Sequence, residues 1–197
     1  MVFGYVLLND WSARDVQAWE YVPLGPFCAK NFATSISPWV VPAEALDAFL
    51  LPSLDGPKQT PQPLPYLRDD DYALPDVRLS VTLETMQGRE HVLCTTSMRN
   101  LHWTPAQMIA HHTSTGCNLR PGDLLGTGTI SGADGVGSML EASSNGQKPV
   151  ALDGSDSRAF LLDGDTVVLR GWAGDGAARV GFGECRGTVL PARRPKL

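Results

Sequence analysis

A mainly β fold with a few short helices, of the α+β class, is predicted by three features of this sequence. Glycine and proline are abundant, at 20 and 15 of 197 residues, which suits a turn-rich chain. Apolar and polar residues alternate from Val77 to Met86, as in a half-buried strand. Segments with helical spacing are short and few, whereas strand-like runs recur to the C-terminus. A hydrophobic share of 43% supports a packed core, and the length suits one domain or a piece of a larger one.

The elements follow in order. Val2 to Leu8 is a continuous apolar run with β-branched and aromatic residues, which predicts a strand buried on both faces. Such a strand has nothing before it to cover it. That is the first sign that the sequence is the downstream part of a longer protein. Asn9 or Asp10 can cap a helix running to about Tyr21. Pro42 to about Leu50 predicts a short helix with proline near its first turn. Leu51 to Leu74 reads as a long loop, acidic at Asp69, Asp70 and Asp71. The strand from Val77 turns at Gln87-Gly88 and pairs with Glu90 to Thr96. Thr104 is a good N-cap with Pro105 at the first helical position, and that helix stops at Gly116. Short strands with Gly-rich turns are expected after it. Phe160 to Trp172 carries a turn at Asp163-Gly164-Asp165, and Val180 to Leu190 is a last strand region.

Several classes are excluded. Lys plus Arg number 16 against 21 Asp plus Glu, a net charge of −5 with no basic stripe, so the chain does not read as a nucleic-acid binder. No stretch approaches the roughly 18 apolar residues of a membrane span. The N-terminus lacks the basic region and cleavage site of a signal peptide. Cys28, Cys94, Cys117 and Cys185 are far apart. They form no zinc-like pair and read as reduced, mostly buried thiols of a cytosolic protein.

The best local constellation is Asp10, Arg14, Gln17 and Tyr21, spaced by 4, 3 and 4. On one helix that spacing makes a polar stripe. An acid, a guanidinium, an amide and a phenol can bind a metal and a carboxylated substrate. They equally make an N-cap followed by a solvated helix face. Lys30, with Thr34 four residues on, can stabilise an oxyanion or lie on the surface. The Gly-rich run 126–132 lacks the lysine of a phosphate loop. It reads as a turn presenting Thr129 to a substrate or as a plain hairpin turn. His102, His111 and His112 read as structural or surface residues, because nothing in the sequence pairs them with a nucleophile. Glu141 can orient a base, with no partner in view.

The stretch FGYVLLNDWSARDVQAWEYVPLGPF resembles the fumarylacetoacetate hydrolase family. The likeness extends through SPWVVP, CNLRPGDLLGTGTISG, GSMLE, FLLDGDTVVLRG and GFGECRGTVLPA, over nearly the whole chain. The wider family pattern N-D-x-[ST]-A-R-D-x-Q lies at positions 9–17. The WEYVPLGPF extension is similar to the fumarylacetoacetase branch. The resemblance implies a mixed β-sandwich roll. It implies a metal-assisted hydrolase that cleaves a carbon–carbon bond of fumarylacetoacetate, giving fumarate and acetoacetate, in the last step of tyrosine and phenylalanine breakdown. By this likeness Asp10 is a ligand of Mg²⁺ or Ca²⁺, with Lys30 and Thr34 at the metal site. Arg14, Gln17 and Lys30 stabilise developing negative charge, and Gln17, Tyr21 and Thr129 contact substrate. Glu141 orients a catalytic histidine. A cytoplasmic homodimer is implied for the full-length form. Alternatives are an acylpyruvase-like or decarboxylase member of the wider family, and a catalytically dead or dimer-forming remnant.

The sequence also departs from the family. The family's histidine base and most metal-binding carboxylates lie upstream of the matching segment. So do a small N-terminal β-barrel domain and part of the catalytic sheet. Here the first histidine is His91, and the acids before Glu20 are Asp10 and Asp15. One carboxylate is too few for a hard divalent cation. Residues 1–197 are therefore expected to be the C-terminal portion of a catalytic domain. Ala33 stands where the family tends to have glycine.

Overall fold

The structure, a computed structural model, describes residues 2–51, 59–70, 73–133, 135–154 and 156–193. Among the described residues lie twelve strands, most of them short, and four α-helices, so the expected α+β class is observed. In chain order they are β1 (Gly4–Tyr5), β2 (Leu8–Asp10), α1 (Arg14–Glu20), α2 (Cys28–Asn31), β3 (Thr34–Ile36) and β4 (Val41–Pro42). Then come β5 (Leu50–Leu51), β6 (Leu74–Pro75), β7 (Val77–Glu84), β8 (Glu90–Ser97), α3 (Pro105–Thr113) and α4 (Met139–Ala142). The last are β9 (Val150–Ala151), β10 (Ser157–Arg158), β11 (Thr166–Ala173) and β12 (Val180–Thr188). No helix among the described residues is long and apolar enough to cross a membrane.

The centre is a four-stranded antiparallel sheet in the order β12-β11-β7-β8. The expected β7–β8 hairpin is present, and Gly88 turns it with φ +76°, a left-handed conformation that glycine adopts without steric cost. Leu83 and Val168 are fully buried on this sheet. The main core joins Val77, Ala173, Phe182 and Cys185 of the sheet to Leu7, Val41, Leu46, Leu74, Met98 and Leu101.

The β2–β3 ribbon docks on β12 and carries the site. Leu8, Asn9 and Asp10 pair with Ile36, Ser35 and Thr34. The Leu7 N–H donates to the hydroxyl of buried Ser37, whose N–H donates back to the Leu7 carbonyl. Trp11 lies against Gly187 of β12 so closely that a Cβ there would sit 2.6 Å from the indole. The indole N–H donates to Ser35 Oγ at 2.9 Å. Buried Cys185 lies against the Asn9 backbone, and burial pushes its thiol's pKa up.

Four expectations are corrected. Val2 to Leu8 is not one buried strand: it breaks into β1 and the start of β2, Leu7 is buried, and Phe3 is 78% exposed. Two short ribbons, β1–β4 and β2–β3, take up its backbone groups in place of one long ladder. The first helix starts at Arg14 rather than after Asp10, because ladder pairing with β3 holds Asn9 and Asp10 extended. Of the four free thiols only Cys185 is buried, since Cys28 and Cys117 lie on α2 and an open loop. No strand follows α3 until an isolated bridge between Gly132 and Gly135, and 121–129 are exposed. The segment 43–49 is a 3₁₀ helix. Pro105 opens α3 with Thr104 as its cap, in a reciprocal capping box with Gln107. Asp71 of the expected acidic loop lies outside the described residues.

A buried ion pair closes the turn before β11. Arg158 donates to both carboxylate oxygens of Asp165, at 2.8 and 3.2 Å, and Asp165 also accepts from the Leu162 N–H. Asp165 is 1% exposed. Removing Asp165 leaves the buried Arg158 with Asp156 as its one remaining acidic partner and takes the acceptor from the Leu162 N–H. Asp165→Ala is expected to lower the unfolding free energy by about 3–5 kcal/mol in urea denaturation.

Candidate active site

The site is a corner made where β2 ends, α1 and α2 follow, and β3 begins. The chain leaves β2 at Asp10 and returns to it at Thr34. Between them the Ala13 N–H, just before α1, donates to the Ala29 carbonyl in α2 at 2.9 Å. This brings Lys30 back beside Asp10. The ammonium Nζ lies 2.6 Å from Asp10 Oδ2 and 3.1 Å from the Asp10 carbonyl oxygen. The pair is partly open to solvent, with side chains 28% and 54% exposed.

Arg14 and Gln17, one turn apart on α1, form a second unit. Arg14 Nη1 donates to Gln17 Oε1 at 2.8 Å and to Ser12 Oγ at 3.3 Å. Arg14 Nε is buried and has no acceptor among the described residues. A buried guanidinium N–H without an acceptor is costly, and an oxygen acceptor, from water or an anion, relieves it. The single helical stripe read from the sequence is corrected here. Asp10 belongs to β2, Arg14 and Gln17 belong to α1, and Tyr21 is the helix's C-cap with an exposed side chain. Asp10, Thr34 and Lys30 still converge, but through strand pairing and the α1–α2 turn.

The other expected site residues are built elsewhere in the chain. Thr129 is exposed in the Gly-rich loop. Glu141 opens α4, where both its oxygens accept from Ser131 Oγ at 2.9 Å and Oε2 accepts from Ser138 Oγ at 2.8 Å. Ser138 also caps the Glu141 N–H. That S-x-x-E spacing was readable as a capping signature in the sequence. None of these hydrogen bonds reaches the Asp10 corner. Each histidine has a partner away from it as well. His91 lies 3.6 Å from Asp153, His102 meets Trp103 edge-on, and His111 meets Tyr66 at 3.1 Å. His112 Nε2 lies 3.3 Å from Cys117 Sγ, which corrects the reading that no nucleophile is paired with a histidine.

Sequence reasoning missed Glu20. Its Oε1 accepts from the N–H groups of Phe27 (2.7 Å) and Ala29 (2.8 Å), and its Oε2 from Cys28 (3.2 Å). The signal was invisible because the donors are backbone N–H groups, which every non-proline residue carries. The hydrogen bond from Ala29, joined by those from Phe27 and Cys28, holds the Glu20 carboxyl below its usual range despite an opposing desolvation effect.

The described residues do not by themselves fit a hard divalent cation. No three His, Cys, Asp or Glu side chains among them come together as a metal site. Asp10 offers one carboxylate, already paired with Lys30, where Mg²⁺ or Ca²⁺ takes six or more oxygens. Titration calorimetry of the 197-residue chain with either ion is expected to show binding weaker than about 10⁻³ M, looser than built calcium sites. Tight one-to-one binding abolished by Asp10→Asn would contradict this fit. Acid is expected to loosen the corner. A depressed folded-state pKa adds stability above the unfolded pKa, and that stability is lost as pH falls through the folded value. The amide resonances of Phe27, Cys28 and Ala29 should therefore titrate together below the ordinary glutamate range. Titration at or above that range would contradict the hydrogen-bonding pattern.

Comparison with known proteins gives the corner its context. The family model described as fumarylacetoacetate (FAA) hydrolase C-terminal matches residues 1–190. The chain is 51% identical over 197 residues to the fumarylacetoacetase of Homo sapiens, covering 98% of this chain and 46% of that protein. It is 53% identical over 194 residues to that of Caenorhabditis elegans, covering 97% and 46%. It is 51% identical over 195 residues to that of Arabidopsis thaliana, covering 97% and 45%. The chain thus spans about half the length of these curated relatives. With nearly every residue inside the family match, and with the N-D-x-[ST]-A-R-D-x-Q segment forming the Asp10–Gln17 edge of the corner, this chain belongs to the fumarylacetoacetate hydrolase family.

Proposed function

We propose that these residues form the C-terminal portion of a catalytic domain that hydrolyses fumarylacetoacetate to fumarate and acetoacetate. The observation that carries this reading is the corner in which Lys30 stands at Asp10 and Arg14 keeps a buried N–H without an acceptor. The reaction generates negative charge on oxygen, which fixed cations and amides stabilise. Water adds to the carbonyl carbon next to the fumaryl double bond, giving an oxyanion. The oxyanion collapses, the bond to the neighbouring methylene carbon breaks, and the electron pair leaves as the enolate of acetoacetate. The proton released by the water returns to that carbon. Lys30 and Arg14 hold the oxyanion and the enolate, and Gln17, already fixed by Arg14, contacts the substrate with Tyr21 and Thr129. Glu141 orients the histidine that moves the proton.

The Mg²⁺ or Ca²⁺ implied by the resemblance finds one carboxylate here, Asp10, with Thr34 across the ladder. Charge stabilisation is therefore assigned to Lys30 and Arg14. The base and further ligands are assigned to the additional length that the relatives have. The same reading assigns the protein to the last step of tyrosine and phenylalanine breakdown, in the cytoplasm, as a homodimer. Exposed apolar side chains beside the corner, Trp19 at 89% and Leu24 at 80%, support association. The same exposure favours a second reading, in which the 197 residues alone are a dimer-forming, catalytically dead remnant.

The test measures fumarylacetoacetate hydrolysis by the 197-residue chain and by a fusion that adds the N-terminal half of a curated relative. Turnover by the fusion and none by the chain is the expected result. Lys30→Met in the fusion should lower kcat by about 10²–10³, the cost of losing one oxyanion-stabilising group. A folded fusion that leaves fumarylacetoacetate intact but acts on an acylpyruvate would move the chain to the wider family. Turnover by the chain alone would locate the base within it, with His111 and His112 examined first.

A further inference from the structure

We propose that Glu20 is the residue that positions Lys30, by holding the first turn of α2 from the end of α1. The inference deepens the function above and rests on Lys30 being its charge-stabilising group.

α2 spans four residues, Cys28–Asn31. A helix this short does not hold itself in water. Its own start is uncapped: Phe27 makes no side-chain cap and has φ −125° and ψ −92°. The Lys30 and Asn31 N–H groups both donate to the Phe27 carbonyl, at 3.0 Å each. The three N–H groups that the turn leaves open, on Phe27, Cys28 and Ala29, all donate to Glu20. A carboxylate at a helix start satisfies orphan donors and complements their partial positive charge.

Ala29, the residue before Lys30, is thereby fixed on three sides. Its N–H is on Glu20, its carbonyl accepts from the Ala13 N–H at 2.9 Å, and its methyl is fully buried. Lys30 thus starts from a Cα fixed relative to α1, the helix that carries Arg14 and Gln17. Its ammonium can then reach Asp10 Oδ2 and the Asp10 carbonyl oxygen. With both oxygens engaged by backbone N–H groups, Glu20 is committed to structure. It acts through Lys30 and is a positioning residue.

The test uses the 197-residue chain as wild type, Glu20→Ala and Glu20→Gln. Acylation of lysines by an N-hydroxysuccinimide ester is followed residue by residue by peptide mass spectrometry, with exposed Lys148 as the internal reference. In Glu20→Ala, Lys30 is expected to label about fivefold faster, the size expected for release of a partly exposed ion pair. Lys148 should be unchanged and thermal unfolding still cooperative. Glu20→Gln keeps one oxygen for Phe27 and Ala29 and should fall between. If Glu20→Ala does not fold, Glu20→Gln decides the same question. A folded variant whose Lys30 labels at the wild-type rate overturns the proposal. In the active fusion, Glu20→Ala should lower kcat with little change in KM and add little to Lys30→Met. A fusion without turnover would sink the hydrolase reading, while the labelling would still decide the role of Glu20.

Discussion

The contact between Trp11 and Gly187 is the constraint on which the rest of this corner depends. The indole occupies the space a Cβ would need on β12, and its N–H is anchored on Ser35 of β3. That one side chain therefore touches both the central sheet and the ribbon that bears the site. Asp10 precedes it directly in the chain, so the orientation of Asp10 follows from how the ring is seated. Cys185 beneath Asn9 adds a second point of attachment to the same strand. A larger residue at 187 would force the ring away and carry the β2–β3 ribbon with it.

From that anchor the corner is assembled by backbone hydrogen bonding more than by side-chain packing. The ladder between β2 and β3 places Thr34 opposite Asp10. The Ala13–Ala29 bond joins the lead-in of α1 to α2, and Glu20 closes the loop from the other end of α1. No residue of α1 is buried as a whole. The usual hydrophobic reason for a helix to sit where it does is therefore weak here, and polar contacts take its place. The charges are arranged accordingly. Lys30 is matched by Asp10, Glu20 by three N–H dipoles, and Arg14 is left with donor capacity to spare.

The Glu141 unit is organised on a different principle. Ser131 and Ser138 converge on a single carboxylate at the start of a four-residue helix, and Ser131 also accepts from the Gly137 N–H. These short-range bonds fix the Gly-rich segment around an acid. The buried Arg158–Asp165 pair plays the corresponding part at the entrance to β11, where it ties β10 to the turn at Leu162. Local polar networks thus define the loops, while the apolar core lies between the four-stranded sheet and the residues around Leu7, Leu46 and Met98.

Much of this was legible in the sequence. The alternation from Val77, the turn at Gly88 and the Thr104–Pro105 start of α3 are local signals, and each appears where the residues indicate. The pairing of Arg14 with Gln17 follows from i, i+3 spacing. By its sequence the segment around Asp10 is the start of that helix, because an Asp before a helical pattern is a good cap. Its true state depended on β3, more than 20 residues away, whose ladder holds the strand extended. Glu20 was unreadable for the same kind of reason: its partners are main-chain donors brought within reach by a turn. The sequence by itself determined the Thr104-capped helix α3 and the β7–β8 hairpin, which rest on neighbouring residues, and the family. Tertiary structure alone decided which strand Asp10 joins, where Lys30 reaches, and what holds it there, because those outcomes depend on contacts that no periodicity encodes.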